Sequence, residues 1–270
     1  MKALIFGGDK RYDEVIYYFR KKGYIVDVAG EYEEKIEISE YDIIIFPVLG
    51  ISKEFMAESK HLSVDFLDNS KKNVLIFSGI ETPYLKQMLL HSGKNCNYFM
   101  KDPIVIKENA VCTVEGIISV LIMNTEITIN GSTVMVIGYG NVGKPLVEAF
   151  IHLGAKVCVG VKEESDLKTL RDRQIDAFYT NMPIMNEYVK KSDMIVNTVP
   201  ELVLSKEHTV LLKKYAYVLD ISSYPYGIDT DSLEQRNVSY KIYSQIPSKT
   251  APRTSGKILV KKISSILGDI

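Results

Sequence analysis

Of 270 residues, 46% are apolar and 25% charged, and 33 Lys and Arg face 34 Asp and Glu for a formal net charge of -1. That balance excludes the electrostatic footprint of a nucleic-acid or anionic-membrane binder, and the length suits two α/β domains. Cys96, Cys112 and Cys158 are scattered, as are His61, His91, His152 and His208, which excludes a disulfide framework and leads us to expect no metal site.

Residues 3–6 form an apolar run that turns polar too soon for a secretory leader, so a cytoplasmic protein without membrane segments is expected. Further strand-like runs at 25–29, 42–47 and 74–78 alternate with helical stretches near 12–22 and 84–91, the pattern of a doubly wound parallel sheet. An apolar helix over about 114–124 leads to a polar break at 128–131, where the domain boundary is placed. Strand-like runs at 134–137, 154–161, 194–199, 217–221 and 240–246 follow, with a closing helix over about 254–267. The fold class expected is therefore α/β, with two doubly wound parallel-sheet domains at 1–126 and 127–253. Residues 254–270 are a terminal helix able to return to the first domain.

The second domain opens on an apolar strand that runs straight into Gly138, Tyr139, Gly140, Asn141, Val142 and Gly143, a Gly-x-Gly-x-x-Gly turn. The first glycine permits the tight turn, the second lets backbone approach a pyrophosphate, and the third lets the next helix pack closely on the strand. This is the signature of a Rossmann NAD(P)-binding domain. Thr198, Val199 and Pro200 would end a later strand beside the same crevice. Nucleotide choice is made at the tip of the second strand, where NAD binders present an acid to the ribose. Here Lys162 stands at that tip, Glu163 and Glu164 follow, and Lys168 and Arg171 are near, so NADP is favoured and NAD is possible; simple solvation of the cations is the plain alternative.

Other segments pair a functional reading with a plain one. Arg11, after Gly7, Gly8 and Asp9, either forks a substrate carboxylate or is a surface residue beside a capping Asp9. Thr113 caps the long helix and Glu115 occupies its first turn, an arrangement that capping explains and that proximity to a cleft would make functional. Asp220 and Ser222 end a strand of the nucleotide domain. Arg253, Thr254 and Ser255 begin the last helix after a proline-bearing turn, an anion-binding arrangement or a surface turn.

Taken together, these segments are similar to the dipicolinate synthase A-subunit family of endospore-forming bacteria. The matching pieces are Gly-Gly-Asp-Lys-Arg at 7–11, Phe-Ser-Gly-Ile at 77–80, Asn-Ala-Val-Cys-Thr-Val-Glu-Gly at 109–116, the glycine turn, Asn-Thr-Val-Pro at 197–200, Leu-Asp-Ile-Ser-Ser at 219–223 and Ala-Pro-Arg-Thr-Ser-Gly at 251–256. They occur in family order over essentially the whole chain. Cys112 where the family usually has Pro, Tyr226 in a usual Pro-Gly-Gly stretch, and Ser248, Lys249 and Thr250 in place of a more apolar turn are departures. The resemblance implies a flavodoxin-like substrate-side first domain and an NADP-dependent oxidation, with dehydration, of 4-hydroxy-tetrahydrodipicolinate to dipicolinate in the mother cell during sporulation. It also implies a flavoprotein-like partner, the dipicolinate synthase B-subunit, and a homo-oligomer is expected. A substrate with two carboxylates asks for two anion sites: Arg253 with Thr254 and Ser255 for one, and Arg11 or the Thr113 helix start for the other. Glu115 or Asp220 would take the proton, with Ser222 or Thr113 bonding the ring substituent. The alternatives are a D-2-hydroxy-acid dehydrogenase, whose expected late His is absent after His208, and a non-catalytic NADP-binding regulatory protein.

Overall fold

The computed structural model describes residues 1–29, 36–54, 56–57 and 60–268. The chain divides into two compact units, Met1–Asn109 with Ala251–Ile270, and Ala110–Thr250.

In the first unit five parallel strands lie in the order β2-β1-β3-β4-β5, with β1 Lys2–Ile5, β2 Ile25–Val28, β3 Ile43–Ile45, β4 Leu75–Ser78 and β5 Cys96–Tyr98. The central β3 is three buried isoleucines, whereas the edge strand β2 is only partly covered, as expected of a parallel sheet whose middle is buried on both faces. Leu4, Phe6, Ile44, Phe46 and Ile76 form one face of the core with Leu85, Met88 and Leu89 of α2, Pro83–Ser92. That helix starts sharply because the Thr82 hydroxyl accepts from Leu85 N at 3.1 Å and Pro83 supplies a first residue with no N–H to satisfy; it stops at Gly93, which adopts the left-handed conformation. The last helix, α7 Pro252–Leu267, packs on α1, Tyr12–Lys21. Gly256 makes this approach possible, because a side chain there would run into the Arg11 carbonyl and Glu14.

In the second unit six parallel strands lie in the order β8-β7-β6-β9-β10-β11, with β6 Thr133–Ile137, β7 Lys156–Val161, β8 Asp176–Tyr179, β9 Met194–Asn197, β10 Tyr217–Asp220 and β11 Ser239–Ile242. Alternate residues of β6 feed opposite faces. Val134 and Val136 pack with Val114, Ile117 and Leu121 of α3, Pro103–Asn124, and with Leu146 and Phe150 of α4, Gly143–His152. Met135 and Ile137 pack with Met185 and Val189 of α5, Met185–Lys191. Chain order reverses between β6 and β9, which makes the C-terminal ends of these two strands the switch point of a Rossmann sheet.

Three expectations change. Helix α3 does not open at Thr113: Asp102 accepts from Ile104 N at 2.8 Å and Val105 N at 3.3 Å, and Pro103 takes the first position, so Thr113 lies mid-helix rather than at the N-cap. The boundary falls at Asn109 rather than residue 126, because the second half of α3 packs on the β6 face and so belongs to the second unit; the 128–131 break is a turn within it. The run at 240–246 is a strand only over Ser239–Ile242, and the chain re-forms as the short helix α6, Ile246–Thr250, seated on Gly116.

Candidate functional site

The switch point carries a crevice with two lobes. The outer lobe, about 300 Å³, is bounded by Gly138, Tyr139, Gly160, Val161 and Lys162; the inner, about 290 Å³, by Asn141, Val142, Ile221, Ser222 and Ser223. Both are lined by Gly140, Thr198 and Pro200, so they adjoin at the strand ends.

Each motif glycine has a separate steric reason. Gly138 holds φ +98° and a side chain there would strike Thr198 Oγ1, while Gly143 has the Gly138 carbonyl where its Cβ would be. Gly140, by contrast, meets nothing within 4 Å: a methyl there would project into the crevice. Behind it α4 starts with no side-chain cap; Lys144 N donates to the Gly140 carbonyl at 3.0 Å and Pro145 has no N–H to satisfy, so the positive end of the helix dipole, rather than a row of free N–H groups, faces the turn.

The walls are fixed by a buried polar knot. Asp220 Oδ1 accepts from Ser222 N at 2.8 Å, and Oδ2 accepts from Gly227 N at 2.7 Å and Asn197 Nδ2 at 3.0 Å. Asn197 also donates to the Val199 carbonyl at 2.9 Å and accepts from Val199 N at 3.1 Å. Asn197 and Asp220 have no exposed surface. Asp220, expected as a proton acceptor, is therefore a tie between the 197–200 and 220–227 loops, with both oxygens occupied. Thr198 is pinned to the Ile137 carbonyl by N and Oγ1, each at 2.9 Å. Tyr139 is buried, its hydroxyl accepting from Arg173 at 3.2 Å while Arg173 forks Glu148.

The charges at the outer lobe differ from the sequence expectation. Lys162 lines it, but its ammonium contacts the Glu201 carboxylate; Glu163 and Asp166 also line it, and Lys168 and Arg171 do not. Lys144 reaches Asp166 at 3.6 Å and sits 5.2 Å over the Tyr139 ring. Glu201 and Asp166 were not anticipated. Nothing local in the sequence pairs Glu201 with Lys162.

Arg11 is 4% exposed and gives Nε and Nη2 to Asp9, at 2.9 and 2.5 Å, so the fork expected to take a substrate carboxylate is already filled. Burial pushes the Asp9 carboxyl up, yet the Arg11 side-chain and backbone hydrogen bonds outweigh it and hold the group below its ordinary value. Arg253 is exposed, with Nε 3.2 Å from Glu14; Thr254 is exposed beside it. Ser255 is buried with its hydroxyl on Asn109 at 2.9 Å, inside the helix rather than at its start, which is Pro252. Ser222 is buried and borders the inner lobe, Glu115 is exposed on α3 and borders neither lobe, and Thr113 is buried. Burial pushes the Cys96 and Cys158 thiols up to about 12, which removes them as nucleophiles. Among the described residues no cluster of metal-ligating side chains occurs, and no helix is long and apolar enough to cross a membrane.

Residues 109–263, more than half the chain, match the family model described as S-adenosyl-L-homocysteine hydrolase, NAD binding domain, and residues 2–100 match that of the dipicolinate synthase A-subunit N-terminal domain. The dipicolinate synthase A-subunit of Bacillus subtilis (strain 168) is 29% identical, covering 100% of this chain and 97% of the relative, and a solved structure of dipicolinate synthase, A chain, from Bacillus subtilis is 27% identical with a TM-score of 0.85, over 100% of this chain and 96% of that one. The structure of the dipicolinate synthase A-subunit from Bacillus halodurans is 25% identical with a TM-score of 0.88, over 98% of this chain and 97% of that one. D-2-hydroxyisocaproate dehydrogenase, 15% identical with a TM-score of 0.59 over 99% and 96% of the two chains, shares the fold alone.

Proposed function

We propose, since this chain belongs to the dipicolinate synthase A-subunit family and carries an NAD-binding domain of the S-adenosyl-L-homocysteine hydrolase type, that it is the nicotinamide-dependent oxidoreductase component converting 4-hydroxy-tetrahydrodipicolinate to dipicolinate. The observation that carries this reading is the full-length similarity to a dipicolinate synthase A-subunit coinciding with an intact cradle at Gly140. The reaction removes one water and two hydrogens, as a hydride and a proton, and the product ring is aromatic. A nicotinamide dinucleotide supplies the hydride acceptor when bound.

The chain's own residues would divide the rest. Gly140 and the uncapped start of α4 hold the pyrophosphate. The Asn197–Asp220 knot keeps the loops that border the inner lobe in register, so Asp220 acts as a positioning residue. Ser222 borders that lobe and is assigned to the ring substituent, and the exposed Arg253 guanidinium, with Thr254, to one substrate carboxylate. Of the two acids read from the sequence for accepting the proton, Glu115 is kept, because both Asp220 oxygens are engaged. Of the three cations that favoured NADP, Lys162 lines the groove, in contact with Glu201, while Lys168 and Arg171 stand outside its lining; NADP is kept as the proposed cofactor, with NAD possible.

A flavoprotein-like second component, the B-subunit of the same synthase, is proposed as partner, in the mother cell of a sporulating bacterium. The test mixes freshly generated hydroxytetrahydrodipicolinate with the chain, with and without that partner, and follows reduced nicotinamide together with dipicolinate. Product from either mixture supports the reading. Nucleotide binding without product in both mixtures would replace it by a regulatory nucleotide-binding role.

A further inference from the structure

We propose that Tyr224, braced by Tyr226, is an aromatic platform beside the inner lobe on which the ring of the substrate stacks, so that this chain favours flat, unsaturated ring dicarboxylates over saturated ones. The inference rests on the dipicolinate reading and goes on to the residue that recognises the ring itself.

Ser222 and Ser223 line the inner lobe, and Tyr224 is the next residue along the same loop. Its ring meets that of Tyr226 edge-on, with centroids 5.8 Å apart and an interplanar angle of 85°, and 83% of its surface stays exposed, so the ring is open to a ligand. Tyr226 holds φ +67°, a left-handed conformation that an aromatic residue keeps only under constraint. The constraint acts from both sides. Tyr226 N donates to the Ser223 carbonyl at 3.0 Å, while Gly227 gives its N–H to Asp220 and its carbonyl accepts from Val203 N and Leu204 N at 3.0 and 2.9 Å. A side chain at Gly227 would strike Asn197 Nδ2 and the Val199 and Glu201 carbonyls, so the loop is pressed onto the wall of the crevice. That wall carries a second uncovered apolar group, Leu202, which lies between the lining residues Pro200 and Val203. An exposed Tyr and an exposed Leu beside a serine-lined lobe make the mostly apolar surface with a few polar groups that suits a small ring. A ring that flattens as it loses water and two hydrogens gains stacking surface as the reaction proceeds, so the contact favours the oxidised side rather than holding both states equally.

The test is calorimetric titration of the full chain, loaded with NADP, with pyridine-2,6-dicarboxylate and with cyclohexane-1,3-dicarboxylate, two dianions that differ in ring flatness. Wild type, Tyr224→Leu, Tyr224→Phe, Tyr226→Gly and Tyr226→Phe are compared, with thermal melts alongside. Wild type is expected to bind the flat ring more tightly. Tyr224→Leu is expected to weaken the flat ring about three- to tenfold and the saturated ring less than about twofold, and Tyr224→Phe to keep the preference. Tyr226→Gly is expected to lose part of the preference with Tm unchanged or higher, because glycine relieves the left-handed strain, whereas Tyr226→Phe keeps it. Equal weakening of both rings in Tyr224→Leu, or none, would overturn the platform; a Tyr226→Gly variant that melts lower or keeps the full preference would overturn the bracing role. If wild type bound neither ring, the dipicolinate reading would fall, and this inference with it.

Discussion

Asp220→Asn separates a proton-transfer role from a structural one, because the substitution keeps shape and removes an acceptor. The carboxylate takes three hydrogen bonds in a site with no exposed surface. An amide oriented to serve Gly227 N and Asn197 Nδ2 turns its NH2 toward Ser222 N, leaving one buried donor unmatched at about 1–3 kcal/mol. The two surviving bonds lose their charge assistance, about 0.5 kcal/mol each. The expected loss is therefore about 3 kcal/mol, which for the 141 residues from Ala110 to Thr250 corresponds to a Tm lower by roughly 9 °C. Chemical denaturation and calorimetry of wild type and variant measure it. An unchanged midpoint combined with intact nucleotide binding and lost turnover would mean that Asp220 handles a proton, and the structural reading would be wrong.

The glycines of the turn should respond differently. Gly140→Ala meets no protein atom and should leave Tm within about 2 °C while weakening dinucleotide binding at least about tenfold, whereas Gly143→Ala, directed at the Gly138 carbonyl, should cost about 1–3 kcal/mol of stability; melts and fluorescence titration read the two effects. Arg11→Ala should destabilise the chain by about 3–5 kcal/mol in urea unfolding, because it strands the Asp9 carboxylate. The pH dependence has a fixed sign. Asp9 titrates below its unfolded value of about 3.9, so its stabilisation is present above that value and is lost as pH falls through the lower folded value; unfolding curves between about pH 2 and 6 should be less steep in Asp9→Asn. Arg253→Ala should change stability by less than about 0.5 kcal/mol and raise the substrate KM about tenfold in the presence of the partner; an unchanged KM would remove Arg253 from the substrate site.

What depends on neighbouring residues was legible before folding. Continuous apolar runs such as Ile43–Ile45 can be satisfied only inside a parallel sheet, and the glycine turn after 134–137 fixes its backbone through its own small residues, so two doubly wound units and the cradle at Gly140 follow from local chemistry. One missed signal was also local: Asp102 before Pro103 marks the true start of α3 and removes Thr113 as a cap. The tertiary structure alone decided what each charge does. Arg11 becomes buried against Asp9, Asp220 is consumed by donors from two loops, and Lys162 meets Glu201 from across the sheet order, so three residue types that suggest chemistry in the sequence acquire other duties. The physical reason is range. Backbone geometry is set by adjacent residues, whereas burial and ion pairing are set by whichever distant segments the fold brings alongside.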